Sequence, residues 1–144
     1  MNQGSYVDDS LGSFLANLAG PSSEPAGGAA LALAGAAAAA LVSLSCHSGR
    51  RSARGTGDAQ TFVDDQVRSE ALMTRVQELI DGDVRAYREV TRSLRLAHDT
   101  AATGARRREM LDHALVGAID VPMVVAETAL ETIDLALATA PRLD

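Results

Sequence analysis

Residues 25–46 form the uncharged run PAGGAALALAGAAAAALVSLSC. Alanine has the highest helix propensity, and Pro25 suits a first helical turn because that position needs no N–H donor. The run therefore predicts a helix that begins near Pro25 and ends around residues 47–49. Only 3% of the chain is aromatic, so alanine and leucine must fill most of the core. We expect this alanine-rich helix to be buried among closely spaced neighbours.

The same run is long enough to cross a membrane, since no residue from Pro25 to Gly49 carries a full charge. Alanine is nearly neutral for membrane insertion, however, and the run holds few leucine and valine residues. A helix packed inside a bundle is therefore favoured over a membrane span. We expect no membrane partner.

The chain before and after this run also shows helical spacing of apolar residues. Asp9 or Ser10 would cap a first helix, which Gly20-Pro21 would end. A long central helix is predicted from Asp58 to about Leu96, because apolar residues recur there at three- and four-residue intervals. Its expected inward face comprises Phe62, Val63, Val67, Met73, Val76, Leu79, Ile80, Tyr87, Val90 and Leu94.

A last helical stretch is predicted from Arg106, and Pro122, which lacks an N–H donor, is expected to kink or divide it. No strand-like alternation competes with these patterns. The fold class is therefore all-α: a single domain over residues 1–144, built as an up-and-down helical bundle. The expected inward residues of the last stretch are Met110, Leu111, Ala114, Leu115, Ala118, Val125, Ala129, Ile133 and Leu137.

Charge and cysteine content exclude several classes of protein. A net charge of -6 argues against nucleic acid as a partner, because phosphate binding needs clustered cations. The single Cys46 excludes an internal disulfide, and the N-terminus lacks the pattern of a secretory signal, so we expect a cytoplasmic protein. Cys46 and His47 have no further suitably spaced ligands, so no metal site is predicted.

Asp83 is the candidate for chemistry. It lies three residues after Ile80 and four before Tyr87, which places its carboxylate on the apolar side of the long helix. A carboxylate there is costly unless it is hydrogen-bonded or protonated, so it is either a structural cap or a working acid/base. The glycine-marked helix start at Gly27 and Gly28 offers free N–H groups and a positive dipole end. The sequence thus predicts an anion and proton site between helices.

Three motifs occur in an order that resembles the cyclodeaminase/cyclohydrolase family. They are PAGGAA at 25–30, DVRAY at 83–87 and VPMVVA at 121–126. That family includes the C-terminal domain of formiminotransferase-cyclodeaminase and bacterial methenyltetrahydrofolate cyclohydrolases. The resemblance runs from about Leu11 to about Ala140.

The resemblance implies an all-helical homodimer with a groove for a folate one-carbon derivative, which is the substrate, and no separate cofactor. Asp83 would be the acid/base. The implied substrate-binding residues are Pro25, Gly27, Gly28, Ala29, Tyr87 and Pro122, together with Arg50, Arg51 and Arg54, whose guanidinium groups would hold the glutamate tail.

Two reactions are implied. The cyclohydrolases hydrolyse 5,10-methenyltetrahydrofolate to 10-formyltetrahydrofolate, and the cyclodeaminases close 5-formiminotetrahydrofolate with release of ammonia. The family pattern is Pro-Gly-Gly-Gly-Ser, whereas this chain has Ala26 in place of the first glycine and Ala29 in place of the serine. Two alternatives therefore stay open: a relative repurposed as a cyclising or ligand-binding enzyme of a specialised biosynthetic pathway, and a non-catalytic helical interaction protein.

Overall fold

The computed structural model describes residues 5–21, 24–53, 55 and 57–143. Within these ranges every regular element is helical, which confirms the all-α fold class. The elements are a 3₁₀ turn Tyr6–Asp8, α1 (Leu11–Leu18), α2 (Gly27–Ser52), α3 (Asp58–Leu94), α4 (Ala101–Thr139) and a second 3₁₀ turn Ala140–Arg142.

Internal contacts divide the chain into two compact units. The first unit comprises Met1–Ala30 with Leu79–Val124, and the second comprises Leu31–Glu78 with Val125–Asp144. Helices α2, α3 and α4 each contribute to both units. The expectation of a single domain stays a prediction.

The order of contacts in the second unit shows that α2 and α3 run antiparallel. Gly35 lies against Val76, whereas Gly49, later in α2, lies against Phe62, earlier in α3. This is the up-and-down arrangement that the sequence predicted for the first pair of long helices.

Helices α3 and α4 are antiparallel in the second unit as well. Arg75 forms an ion pair with Glu131 at 3.1 Å, and Thr139 donates a hydrogen bond to Asp65 at 3.2 Å. Asp65 also pairs with Arg142, whose guanidinium carbon lies 5.9 Å from the centroid of the Phe62 ring. These contacts tie the end of the chain to the start of α3.

Helix α2 buries a seam of small residues and extends to Ser52, beyond the predicted end at 47–49. Three leucines of α2 lie outside this seam: Leu31, Leu41 and Leu44 are 61–62% exposed. The other helices of the chain therefore cover only one side of α2. Burial raises the pKa of the Cys46 thiol in this seam, which keeps it protonated at neutral pH. The buried seam of α2 in the second unit is Ala32, Ala36, Ala39, Val42, Cys46 and Gly49.

The inward face of α4 differs from the prediction in its second half. Ile133 and Leu137 were expected inside but are 54% and 67% exposed. The Thr132 hydroxyl donates to the Thr128 carbonyl at 2.8 Å, and Thr139 does the same to the carbonyl four residues before it. A hydroxyl satisfied by its own helix can be buried, so threonine takes the inward positions. The buried residues are Val125, Thr128, Thr132, Leu135 and Thr139.

Similar corrections apply to α3. Val67, Tyr87 and Leu94 were predicted to face the core, but they are exposed. Ser69 is fully buried instead, and its hydroxyl donates to the Gln66 carbonyl at 2.9 Å. Ser69 takes an inward position that the spacing rule could not assign, because the rule counts only apolar residues as candidates for the core.

The boundaries of α4 are also corrected. The helix begins at Ala101 rather than Arg106 and continues through Pro122, so of the two expected effects of this proline, division of the helix does not occur. Met110 and Leu115, predicted to face inward, are each 43% exposed. By length and composition alone, both α2 and the segment Ala101–Arg142 could cross a membrane, a test that core helices of soluble proteins also pass.

Two glycines of α2 provide a matched test of this packing. A Cβ at Gly49 would lie 2.5 Å from two ring atoms of Phe62, whereas one at Gly35 would make an ordinary 3.5 Å contact with Val76. Gly35→Ala should stabilise the protein, because alanine in a helix is better than glycine by about 1 kcal/mol. Gly49→Ala should destabilise it, since overpacking costs about 1–3 kcal/mol. Urea unfolding followed by circular dichroism measures both, and equal shifts of the two midpoints would contradict the packing.

Candidate active site

Asp83 caps the start of α2. Its Oδ2 atom accepts a hydrogen bond from the Ala29 backbone N–H at 3.0 Å. Since α2 begins at Gly27, Ala29 lies in the first turn, where N–H groups have no partner within the helix. A side chain from α3 therefore does what an N-cap residue does elsewhere, from 54 positions away in the sequence.

Gly28 makes this contact possible. A Cβ at Gly28 would lie 2.0 Å from the Asp83 Oδ1 atom and 2.5 Å from its Cγ atom. Only glycine therefore fits beside the carboxylate in this position. At Gly27 the situation differs, because a Cβ there would meet nothing within 4 Å and the residue is exposed.

Pro25 and Ala29 complete the start of α2. Both are buried, Ala29 completely. Their side chains fix the turn into the helix, while the functional contact of Ala29 is made by its backbone. The absence of a serine hydroxyl at position 29 leaves the Asp83 hydrogen bond intact, since any residue other than proline supplies that N–H.

The Asp83 carboxylate keeps capacity for further hydrogen bonds. It is half-buried, and Ala29 is its only hydrogen-bond partner among the residues that the structure describes. An ionised carboxylate offers about four acceptor positions. The cap is thus observed, and the remaining oxygen positions suit a water molecule or a nitrogen-bearing ligand. The acid/base role stays a prediction.

Asp81, two residues earlier on α3, has a different task that sequence reasoning missed. It accepts hydrogen bonds from the Tyr6 N–H at 2.7 Å and from the Ser5 hydroxyl. The Tyr6 ring in turn lies edge-to-face against Phe14 of α1, with centroids 6.4 Å apart. Asp81 therefore anchors the N-terminal segment. Nothing local in the sequence links it to residues 5 and 6.

A cavity of about 350 Å³ opens along α3 in the same unit. Tyr87, 38% exposed, lines it rather than packing in the core. Glu24, which precedes Pro25, forms an ion pair with Arg88 at 2.7 Å in its wall. The full lining is Glu24, Tyr87, Arg88, Thr91, Arg92 and Arg95.

The remaining predicted binding residues belong to other helical segments. Arg50 and Arg51 belong to the last turn of α2, in the second unit, and Arg54 lies outside the described residues. Pro122 is exposed on α4. The first unit thus assembles Pro25, Gly27, Gly28, Ala29, Asp83 and Tyr87 around one helix start and one helix face. No group of three or more metal-ligating side chains occurs in the described part of the chain.

Comparison with known proteins identifies the family of this chain. The sequence model described as formiminotransferase-cyclodeaminase matches residues 10–143. The chain belongs to the formiminotransferase-cyclodeaminase family. The motif order at 25–30, 83–87 and 121–126 had indicated the same group, and that prediction is confirmed.

Within this family, one relative is the protein named methenyltetrahydrofolate cyclohydrolase of Methylorubrum extorquens. It is 31% identical over 132 residues, which cover 90% of this chain. The same alignment covers 62% of the relative, so this formiminotransferase-cyclodeaminase family member spans less than two thirds of that protein.

The glycine pair at the start of α2 tests the cap. Gly28→Ala should displace the Asp83 carboxylate and destabilise the protein by about 1 kcal/mol, the usual loss for a missing helix cap. Gly27→Ala is the control, because its new methyl group meets no neighbour. Urea unfolding measures both free energies. If the two variants are equally stable, the proposed contact between Gly28 and Asp83 is wrong.

Proposed function

We propose that this protein hydrolyses 5,10-methenyltetrahydrofolate to 10-formyltetrahydrofolate, with Asp83 as the acid/base. The observation that carries the proposal is the position of the carboxylate: it is fixed by the Ala29 N–H at 3.0 Å while most of its acceptor capacity stays free. The likeness to a relative named as a methenyltetrahydrofolate cyclohydrolase supports the choice of substrate.

A single carboxylate can carry out both proton transfers that this reaction needs. The substrate is a cation whose reactive carbon lies between two nitrogens. Asp83 accepts a proton from water as the water oxygen bonds to that carbon, which gives a tetrahedral intermediate. The same carboxyl group then returns the proton to the departing ring nitrogen, the carbon–nitrogen bond breaks, and the formyl group forms. Overall, the cation and water give the neutral formyl product and one proton, so no separate cofactor is needed.

The start of α2 favours this chemistry in two ways. A hydrogen-bonded carboxylate has fewer orientations to lose before reaction, which is a form of preorganisation. The negative charge of Asp83 also attracts the cationic substrate in a half-buried position, where charges interact more strongly than in water. Gly27, which is exposed and carries no side chain, permits close approach of a flat heterocycle.

A second candidate is the cyclodeamination of 5-formiminotetrahydrofolate. The description of the matching family favours it, and the reaction also passes through a tetrahedral carbon between two nitrogens. The two activities are separable with purified protein, because loss of methenyl absorbance reports hydrolysis and ammonia release reports cyclodeamination.

We also propose that the protein is a cytoplasmic homodimer. Leu130, Ile133 and Leu137 lie on one face of α4, at intervals of three and four residues, and each is more than half exposed. Leu41 and Leu44 on α2 are exposed as well. Exposed apolar side chains in such number are typical of association sites, and the occupant that we propose is a second copy of the chain.

Asp83→Asn tests the catalytic role. Asparagine is as good a helix cap as aspartate, so the fold should be kept, but it cannot take a proton from water. We expect kcat to fall by about 100-fold or more, the usual contribution of a general acid/base. Asp81→Asn is the matched control, since Asp81 anchors Tyr6 and should leave kcat nearly unchanged. Full activity in Asp83→Asn would remove Asp83 from the mechanism.

The double substitution Ile133→Gln and Leu137→Gln tests the dimer. Both side chains are exposed in the single chain, so the fold should tolerate glutamine while association is lost. Sedimentation velocity should give the mass of two chains for the unmodified protein and of one chain for the variant. Ala138→Gln, an exposed change beside this face, should stay dimeric. A monomeric unmodified protein would refute the proposal.

A further inference from the structure

The cavity along α3 has no role in the chemistry assigned to Asp83. Its lining carries three guanidinium groups, from Arg88, Arg92 and Arg95, against the single carboxylate of Glu24. The lining therefore has an excess of two positive charges in a chain whose net charge is -6. A cationic recess on an acidic protein favours an anionic ligand.

The three arginines differ in how firmly they are held. The Nε and Nη2 atoms of Arg88 each lie 2.7 Å from the same oxygen of Glu24, so this pair forms part of the wall. Arg92 pairs with Glu89 at 2.6 Å, but both side chains are largely exposed, and such pairs are weak and easily exchanged. Arg95 has no ion pair with any described residue. Arg92 and Arg95 are therefore the cations available to a ligand.

The cavity lies along the same helix as Asp83 and in the same unit, and its lining on α3 begins at Tyr87. Tyr87 lies one turn beyond Asp83, and Arg92 lies nine residues, or two and a half turns, beyond it, an axial rise of about 14 Å at 1.5 Å per residue. Arg95 directly follows the end of α3. A ligand that reaches from Asp83 to these arginines must be elongated, with an anionic group at the end far from the reacting carbon.

We infer that Arg92 and Arg95 bind the carboxylates of the substrate's glutamate tail, an inference that rests on the proposed function. Reduced folates have this shape: the one-carbon unit lies near the heterocycle, and the glutamate carboxylates lie at the opposite end. Guanidinium groups hold carboxylates through paired, charge-assisted hydrogen bonds. Tyr87, which lines the cavity between Asp83 and Arg92, contacts the aminobenzoyl ring. This assignment replaces Arg50 and Arg51, which the sequence had indicated for the tail.

A pair of substrates tests the assignment through kinetics. One is 5,10-methenyltetrahydrofolate, and the other is 5,10-methenyltetrahydropteroate, which lacks the glutamate. In the variant Arg92→Gln/Arg95→Gln, KM for the first should rise by about tenfold or more, as expected for lost charge-assisted hydrogen bonds, with kcat unchanged. KM for the second should not change. Arg106→Gln/Arg108→Gln removes the same charge from exposed positions of α4 and should alter neither value.

Direct binding separates failure of this inference from failure of the proposed function. The probe is p-aminobenzoyl-triglutamate, which carries the tail but no reacting carbon, measured by isothermal titration calorimetry. The unmodified protein should bind it, more weakly at high salt, and Arg92→Gln/Arg95→Gln should lose about tenfold or more in affinity. Probe binding that depends on these arginines, without hydrolysis of either substrate, would refute the function and keep the anion site. Hydrolysis with equal losses for both substrates, or no arginine-dependent binding, would overturn the inference.

Discussion

The hydrogen bond between the Ala29 N–H and Asp83 organises the first unit of this protein. It satisfies a backbone donor that the start of α2 leaves free, and it fixes the one carboxylate to which we assign chemistry. Gly28 is a condition for it, since a Cβ there would overlap the carboxylate. The same side chain therefore serves both the cap of α2 and the proposed catalysis.

The hydrogen bond also explains how this chain can depart from the family's glycine pattern and keep the cap of α2. Ala29 lacks the hydroxyl of the family's serine, but its contact with Asp83 runs through the backbone. Alanine in place of serine at position 29 removes a hydroxyl from the start of α2, but the cap of this helix is kept. The glycine that matters for the carboxylate, Gly28, is present. The hydrogen bond that holds Asp83 therefore does not depend on the side chain at position 29.

Much of the fold could be predicted because it depends on local spacing. The Ser10 cap of α1, the start of α2 near Pro25 and the long central helix all follow from neighbours in sequence. The burial of Thr132 and Thr139 in α4 could not be predicted from hydropathy, because their hydroxyls are satisfied by the helix itself. The anchoring role of Asp81 and the arginine-lined cavity depend on residues brought together from distant positions. Asp83 was found because both its helix face and its motif indicated it.

The threonine-rich seam of α4 has a consequence for how the second unit is aligned. The Thr132 hydroxyl bonds within its own helix and makes no directional demand on the facing helix, and the small residues of α2 make none either. Such surfaces set the distance between helices but supply few directional contacts that set their offset along the axis. The longitudinal position therefore depends on a few points of contact: the Phe62 ring against Gly49, Arg75 paired with Glu131, and Asp65 held by Thr139 and Arg142. These contacts set the offset of α3 along the axes of α2 and α4.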